Sequence, residues 1–193
     1  MTAAQQGTGV VHYLLDKSAS RFTVRAFATG MLSALGHSPT FRIGDFNGEA
    51  DFDPAAPAQA SLRLTVRADS LEVTDDIKSK DRKEMESTMN QTVLETSKYP
   101  AIVYESTGTS AADTLGEGRY KVTLAGNLAL RGVTRGLPIT AQVAITGGIL
   151  RAYGEFSILQ SDYGIPPVSV AGGALKLKDE LKFAFEFVGR KQE

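Results

Sequence analysis

Apolar and polar residues alternate with a period of two along most of this chain, which is the spacing of strands with one buried face. The pattern is clearest in 119–130, where Tyr120, Val122, Leu124, Leu128 and Leu130 share one parity and Lys121, Thr123 and Asn127 the other. Gly126 interrupts the apolar row, and a glycine there permits a bend or a close backbone approach. Ser61–Ala68 is equally regular, with Leu62, Leu64 and Val66 set against Ser61, Arg63 and Thr65. The same period runs through 10–15, 22–28 with Phe22 and Val24, 101–106 with Ile102 and Tyr104, and 137–145. It returns in 150–158 with Phe156 and in 181–187 with Phe183 and Phe185.

Between these segments the turn signals are local. Asp16–Ser20 reads as a turn, Gly147-Gly148 as a hairpin, and Asp53–Pro57 as a break that cannot continue a central strand. A phase change at Gly44-Asp45 inside 41–52 predicts a β-bulge. Residues 29–40 predict a capping turn, 110–118 a polar turn, 131–136 a connection and 160–173 a loop. One stretch departs from strand spacing: in 75–95, Ile77, Asp81, Met85, Met89 and Val93 recur every four residues, with Leu94 alongside. The stripe is narrow, so a helix lying on a surface is expected, its methionines suited to an irregular groove.

About eight one-faced strands and a single helix leave two architectures, a sheet closed on itself or two sheets face to face. Strand lengths of 9–12 residues favour the first, an all-β antiparallel barrel with one inserted helix. Gly48, Gly126 and Gly154 on the apolar parity are expected to open space inside it. The 193 residues fit one domain over 10–190, preceded by a flexible leader at 1–9. Phe22, Val24, Leu64, Val66, Ile102, Tyr104, Leu124, Leu128, Phe156, Phe183 and Phe185 then either fill a core or wall a cavity. Alternation does not separate packed from hollow, but an apolar cavity would be a binding site and not a catalytic one.

Composition narrows the chemistry further. With 21 basic against 22 acidic residues and no dense basic cluster, no nucleic-acid partner is expected. The absence of cysteine excludes disulfides and thiolate metal sites. Two histidines, His12 and His37, carry no paired-ligand spacing, so no metal or cofactor is expected. Ser38 beside His37 lacks the strained turn that exposes a nucleophile. The charges of 75–86 read as a solvated helix face, the alternatives being membrane contact or docking of a protein partner. The polar start at 1–9 shows neither a signal peptide nor a membrane span, which implies the cytoplasm as written, or the periplasm if a leader has been removed.

Leu124-Ala-Gly-Asn-Leu-Ala-Leu-Arg-Gly-Val-Thr-Arg135 resembles the most recognisable motif of the YceI-like family. Glu95–Ser106 is similar to that family's Tyr-Pro-x-Ile-x-Phe-x-Ser segment, with Tyr104 in place of the phenylalanine, and Ser161-Asp-Tyr-Gly-Ile165 resembles its Asp-Phe-Gly signature. Gly36-His37 and Phe46-Asn-Gly48 match its early positions. The resemblance implies an extended eight-stranded lipocalin-like barrel whose cavity binds an isoprenoid or other long-chain lipid, in members that are often homodimers. It carries His37, Asp162 and Tyr163 over as entrance or head-group contacts. The chain departs from the pattern at Gln160, where many members have arginine. Non-catalytic binding, transport or storage is the function implied, with an enzyme acting in the same cavity as the alternative.

Overall fold

Alternation becomes strand wherever it was regular, and in several places where it was not. The computed structural model describes residues 9–29, 38–170 and 175–192. Within them lie β1 (Val11–Leu15), β2 (Arg21–Thr29), β3 (Thr40–Ile43), β4 (Phe46–Phe52), β5 (Ser61–Arg67), β6 (Leu71–Val73) and β7 (Ala101–Gly116). The chain continues through β8 (Arg119–Leu130), β9 (Val133–Gly136), β10 (Ile139–Thr146), β11 (Ile149–Leu159), β12 (Ser169–Val170) and β13 (Leu175–Lys191). A helix, α1 (Ser79–Thr88), is inserted between β6 and β7. No helix among the described residues is long and apolar enough to cross a membrane.

These segments occupy eight positions around a closed ring. β1 and β2 lie end to end along one edge of β13, with Tyr13 opposite Lys191 and Phe22 opposite Phe185. β4 and β3 pair with them in turn, and β5 and β6 pair with β4 and β3. β7, β8, the pair β9 and β10, and then β11 complete the circuit back to β13. Each pass of the chain therefore neighbours the one before it, and the last neighbours the first. This is an up-and-down antiparallel barrel, the closed alternative of the two, and closure satisfies ladder edges that two stacked sheets would leave open.

The exceptions have physical causes. Gly44-Asp45 is a corner and not a bulge: β3 pairs with β2 and β6 while β4 pairs with β1 and β5. Ser70 holds that corner, its carbonyl accepting from Gly44 N–H at 3.0 Å and its hydroxyl from Asp45 N–H at 3.1 Å. Of the expected turn at 110–118 only Glu117-Gly118 turns, and 110–116 belong to the outer half of the 16-residue β7. Three register shifts against β8 scramble the parity there, and the residues are small or polar. Residues 133–136 are strand β9, which folds back on β8 through the Arg131-Gly132 turn. Pro138, lacking a donor, falls in the break before β10.

Gly48, Gly126 and Gly154 do not open space. A Cβ on Gly48 would strike the Leu15 side chain, one on Gly126 the Tyr104 phenol, and one on Gly154 the Phe185 ring and the Thr140 carbonyl. Each glycine is a slot already filled by a larger neighbour.

Along the barrel axis the interior divides in two. One end is a solid core of Tyr13, Phe52, Tyr120, Val122, Leu124, Val143 and Leu150. The other contains Phe22, Val24, Leu64, Val66, Tyr104, Leu128 and Phe185, extended by Met89 and Leu94 from the helical segment. An aromatic layer marks the change: Phe187 lies 5.3 Å from Phe22, 5.5 Å from Phe46 and 5.0 Å from Phe185 between ring centroids. Beyond Phe187 on β13, Gly189 packs against Tyr13 and Leu150 of the solid core.

The helix begins at Ser79 and not at Asp75. Asp75 is used elsewhere: its Oδ2 accepts from Thr40 N–H at 2.8 Å, which ties this segment to β3. After Thr88 the chain widens into a π-turn, Met89–Val93, closed by Leu94 N–H to the Met89 carbonyl at 2.8 Å. The broadened turn points Met89 and Leu94 inward, so the helical segment does more than lie on a surface.

Candidate functional site

Above Arg67, which pairs with Ala101, β6 has no strand on its far side. The detour 74–100 covers that flank, and Glu86 Oε1 accepts from the otherwise unpaired Val73 N–H at 3.0 Å. Met85, Met89, Val93 and Leu94 thus take the places that a ninth set of strand side chains would fill. They close one side of a cavity of about 390 Å³.

Its walls come from almost every pass of the barrel. Of the residues expected from parity, Phe22, Val24, Leu64, Val66, Ile102, Tyr104, Leu128, Phe156, Phe183 and Phe185 line it. Leu124 does not; it is buried in the solid core at the opposite end. Ile102, Phe156 and Phe183 are only half-buried, because part of each faces the void. Phe156 and Phe183 stack at 4.8 Å with their planes 2° apart. Sequence reading missed the contributions of Leu181, Leu177, Ile165 and the helical methionines. The four-residue spacing of Met85 and Met89 was the available signal for the last of these.

Polar groups sit mainly at the rim. Asp81, Glu84 and Thr88 of α1 and Lys176 of β13 line the cavity while remaining exposed, which marks the mouth between α1 and the start of β13. Phe187 lies at the floor. Gln160 is the buried polar residue of the lining, donating from Nε2 to the Lys178 carbonyl at 2.9 Å.

Asp162 and Tyr163 stand outside the lining. Asp162 is exposed, and its main-chain carbonyl accepts from Arg135 Nε at 3.2 Å. Tyr163 is packed in the core, and burial first, then the neighbouring Asp162 carboxylate, raises its phenol pKa. His37 lies outside the described residues. His12, on the outer face, pairs with Asp51 across β1 and β4 at 2.8 Å. Among the described residues no three His, Asp or Glu side chains converge as metal ligands.

The motif residues meet at one corner of the barrel. Arg131 reaches Glu95 Oε2 through Nη2 at 2.5 Å and the Gly164 carbonyl through Nη1 at 2.6 Å. Both Glu95 and Arg131 hold positive φ, 48° and 50°, a conformation that L residues adopt only when the surroundings enforce it. The clasp binds the end of the helical segment, the β8–β9 turn and the 160–164 turn to each other. Its members Glu95, Arg131 and Gly164 are the chain neighbours of Leu94, Leu130 and Ile165 of the cavity wall.

The arrangement is a barrel suited to holding a hydrophobic ligand, and comparison with known proteins agrees with it. BcnA of Burkholderia cenocepacia superposes with a TM-score of 0.67 at 20% identity, over 90% of this chain and 98% of that one. A polyisoprenoid binding domain from Saccharophagus degradans gives 0.66 at 13% identity, over 95% and 100%. A UPF0312 protein of Shewanella baltica is 28% identical over 169 residues, 84% of this chain and 81% of its own length. One from Azotobacter vinelandii is 29% identical over 133 residues, and the match spans 60% of that protein. Residues 13–188 match the model of the YceI-like domain, so from β1 into β13 the chain belongs to the YceI-like family.

Proposed function

We propose that this chain binds an isoprenoid or similar long-chain amphiphile in its barrel, and carries or stores it without transforming it. The observation that carries this reading is the apolar cavity of about 390 Å³ with its polar rim. That volume falls in the range of small-molecule sites, roughly 300–1,000 Å³. The structural likeness to the polyisoprenoid binding domain from Saccharophagus degradans supports the choice of ligand class. The ten wall residues named above would contact the tail, and the mouth beside Asp81, Glu84 and Lys176 would admit the head.

Magnitudes support it as well. A tail burying about 500 Å² at about 25 cal/mol/Å² gains on the order of 12 kcal/mol before costs. Lost translational freedom and chain ordering cancel a good part of this. The remainder still reaches micromolar affinity or better.

Lipid extraction from the purified protein followed by mass spectrometry tests the reading. A long-chain species in near-stoichiometric amount is expected. Extracts without lipid, together with a protein that takes up no added prenyl or acyl chain, would remove it. Homodimerisation, which the family resemblance implies, is a separate expectation for light scattering.

A further inference from the structure

One buried polar side chain stands in the apolar inner wall. Gln160 is 2% exposed and borders the cavity near Leu181, Leu177 and Ile165. It is firmly placed. The next residue, Ser161, is fastened twice to Asp179, by its N–H to Oδ1 at 2.8 Å and by its hydroxyl to Oδ2 at 2.5 Å. The Gln160 Nε2 faces the Lys178 carbonyl at 2.9 Å. A carbonyl only accepts, so the nitrogen must be the atom turned toward it, and this fixes the amide's orientation.

The amide oxygen and one N–H are then left without a partner among the described residues. Among the described residues, the polar side-chain atoms fully cut off and unpaired are Arg82 Nε, Asn90 Oδ1 and Arg131 Nε. The Gln160 oxygen is not among these, and the residue itself borders the cavity. A desolvated acceptor at an apolar void is costly until a guest pairs with it. Among the described residues the exposed rim of the same cavity carries two carboxylates, Asp81 and Glu84, against one ammonium, Lys176.

We infer that Gln160 recognises the head of the bound amphiphile, and that this head is uncharged and both donates and accepts a hydrogen bond, as a primary alcohol does. The inference rests on the reading of the cavity as a site for a long-chain amphiphile. A hydroxyl donates to the amide oxygen and accepts from the free N–H. A fully ionised phosphate only accepts, and its charge would be desolvated beside a neutral amide in a cavity whose rim carries two carboxylates. The tail then runs from Gln160 toward Phe187.

Displacement of an environment-sensitive fluorophore from the full chain tests this, and the absence of tryptophan keeps the signal uncluttered. The probes are farnesol, its methyl ether and farnesyl phosphate, on the wild-type protein and on Gln160→Met. Farnesol is expected to bind the wild type about tenfold more tightly than either other probe, and this preference should vanish in Gln160→Met while the ether's affinity is kept. Equal affinities in the wild type, tighter phosphate binding, or an unchanged preference in Gln160→Met would overturn the assignment of Gln160 alone. If Gln160→Met does not fold, the wild-type ratios decide. If none of the probes displaces the fluorophore, the lipid-binding reading falls with it.

Discussion

The phenol end of Tyr104 covers Gly126, and its hydroxyl donates to the Leu137 carbonyl at 3.2 Å. The phenol therefore bridges β7 to the break between β9 and β10, which only a strand without a Cβ at 126 allows. A methyl group at 126 would meet the ring and also stand 2.8 Å from the Glu105 carbonyl oxygen. Gly126→Ala is expected to lower stability by about 2 kcal/mol or more, the range of overpacked cores. Tyr104→Ala removes the ring clash, so a double-mutant cycle in urea should show non-additivity above about 0.5 kcal/mol.

Burial raises the Tyr104 pKa from 10.0 to about 12. The folded state thus holds the phenolic proton more tightly than the unfolded chain. Its contribution to stability is constant below pH 10 and declines as pH rises through about 12. Urea midpoints followed by circular dichroism between pH 8 and 12 should fall less in Tyr104→Phe than in the wild type. Tyr13 and Tyr163 are raised too, so part of the decline remains.

Arg131 makes two bonds in two directions, to Glu95 and to the Gly164 carbonyl. Arg131→Ala should destabilise by about 2 kcal/mol. Arg131→Lys should recover less than half of this, because one ammonium on a flexible stem cannot reproduce the fork. Thermal melts of the three proteins at equal concentration measure it.

Phe187 separates the cavity from the solid core. Phe187→Ala is expected to cost about 3–5 kcal/mol while deepening the void. In the folded fraction, competition between 15- and 20-carbon prenyl alcohols should shift toward the longer chain. An unchanged preference would place the floor elsewhere.

Much of this was legible in the amino-acid order. Parity in 61–68, 119–130, 139–146 and 149–158 separates inside from outside correctly, because one face of each strand must be dry. Parity carries no information about depth along the barrel axis. Leu124 and Leu128 share a row, yet one belongs to the solid core and the other to the cavity wall. The outer half of β7 was illegible for another reason: its shifts against β8 break the period that identifies a strand. The glycines misled because a missing side chain in sequence suggests a hole, whereas Leu15, Tyr104 and Phe185 fill each one. Gln160 stood out first as a departure from the family pattern, but its importance comes from its apolar surroundings, which only the fold brings together.

Where β6 lacks a strand neighbour, the wall is a helix joined to the β6 edge by the Glu86 to Val73 hydrogen bond. The long seams of the barrel, such as β11 with β13 and β7 with β8, are stitched by successive main-chain ladder bonds, and parting one would expose a row of them at once. Along the β6 flank the wall is thus held by side-chain bonding and apolar packing from Met89 and Leu94, where the staves of the cask elsewhere are held by their backbones.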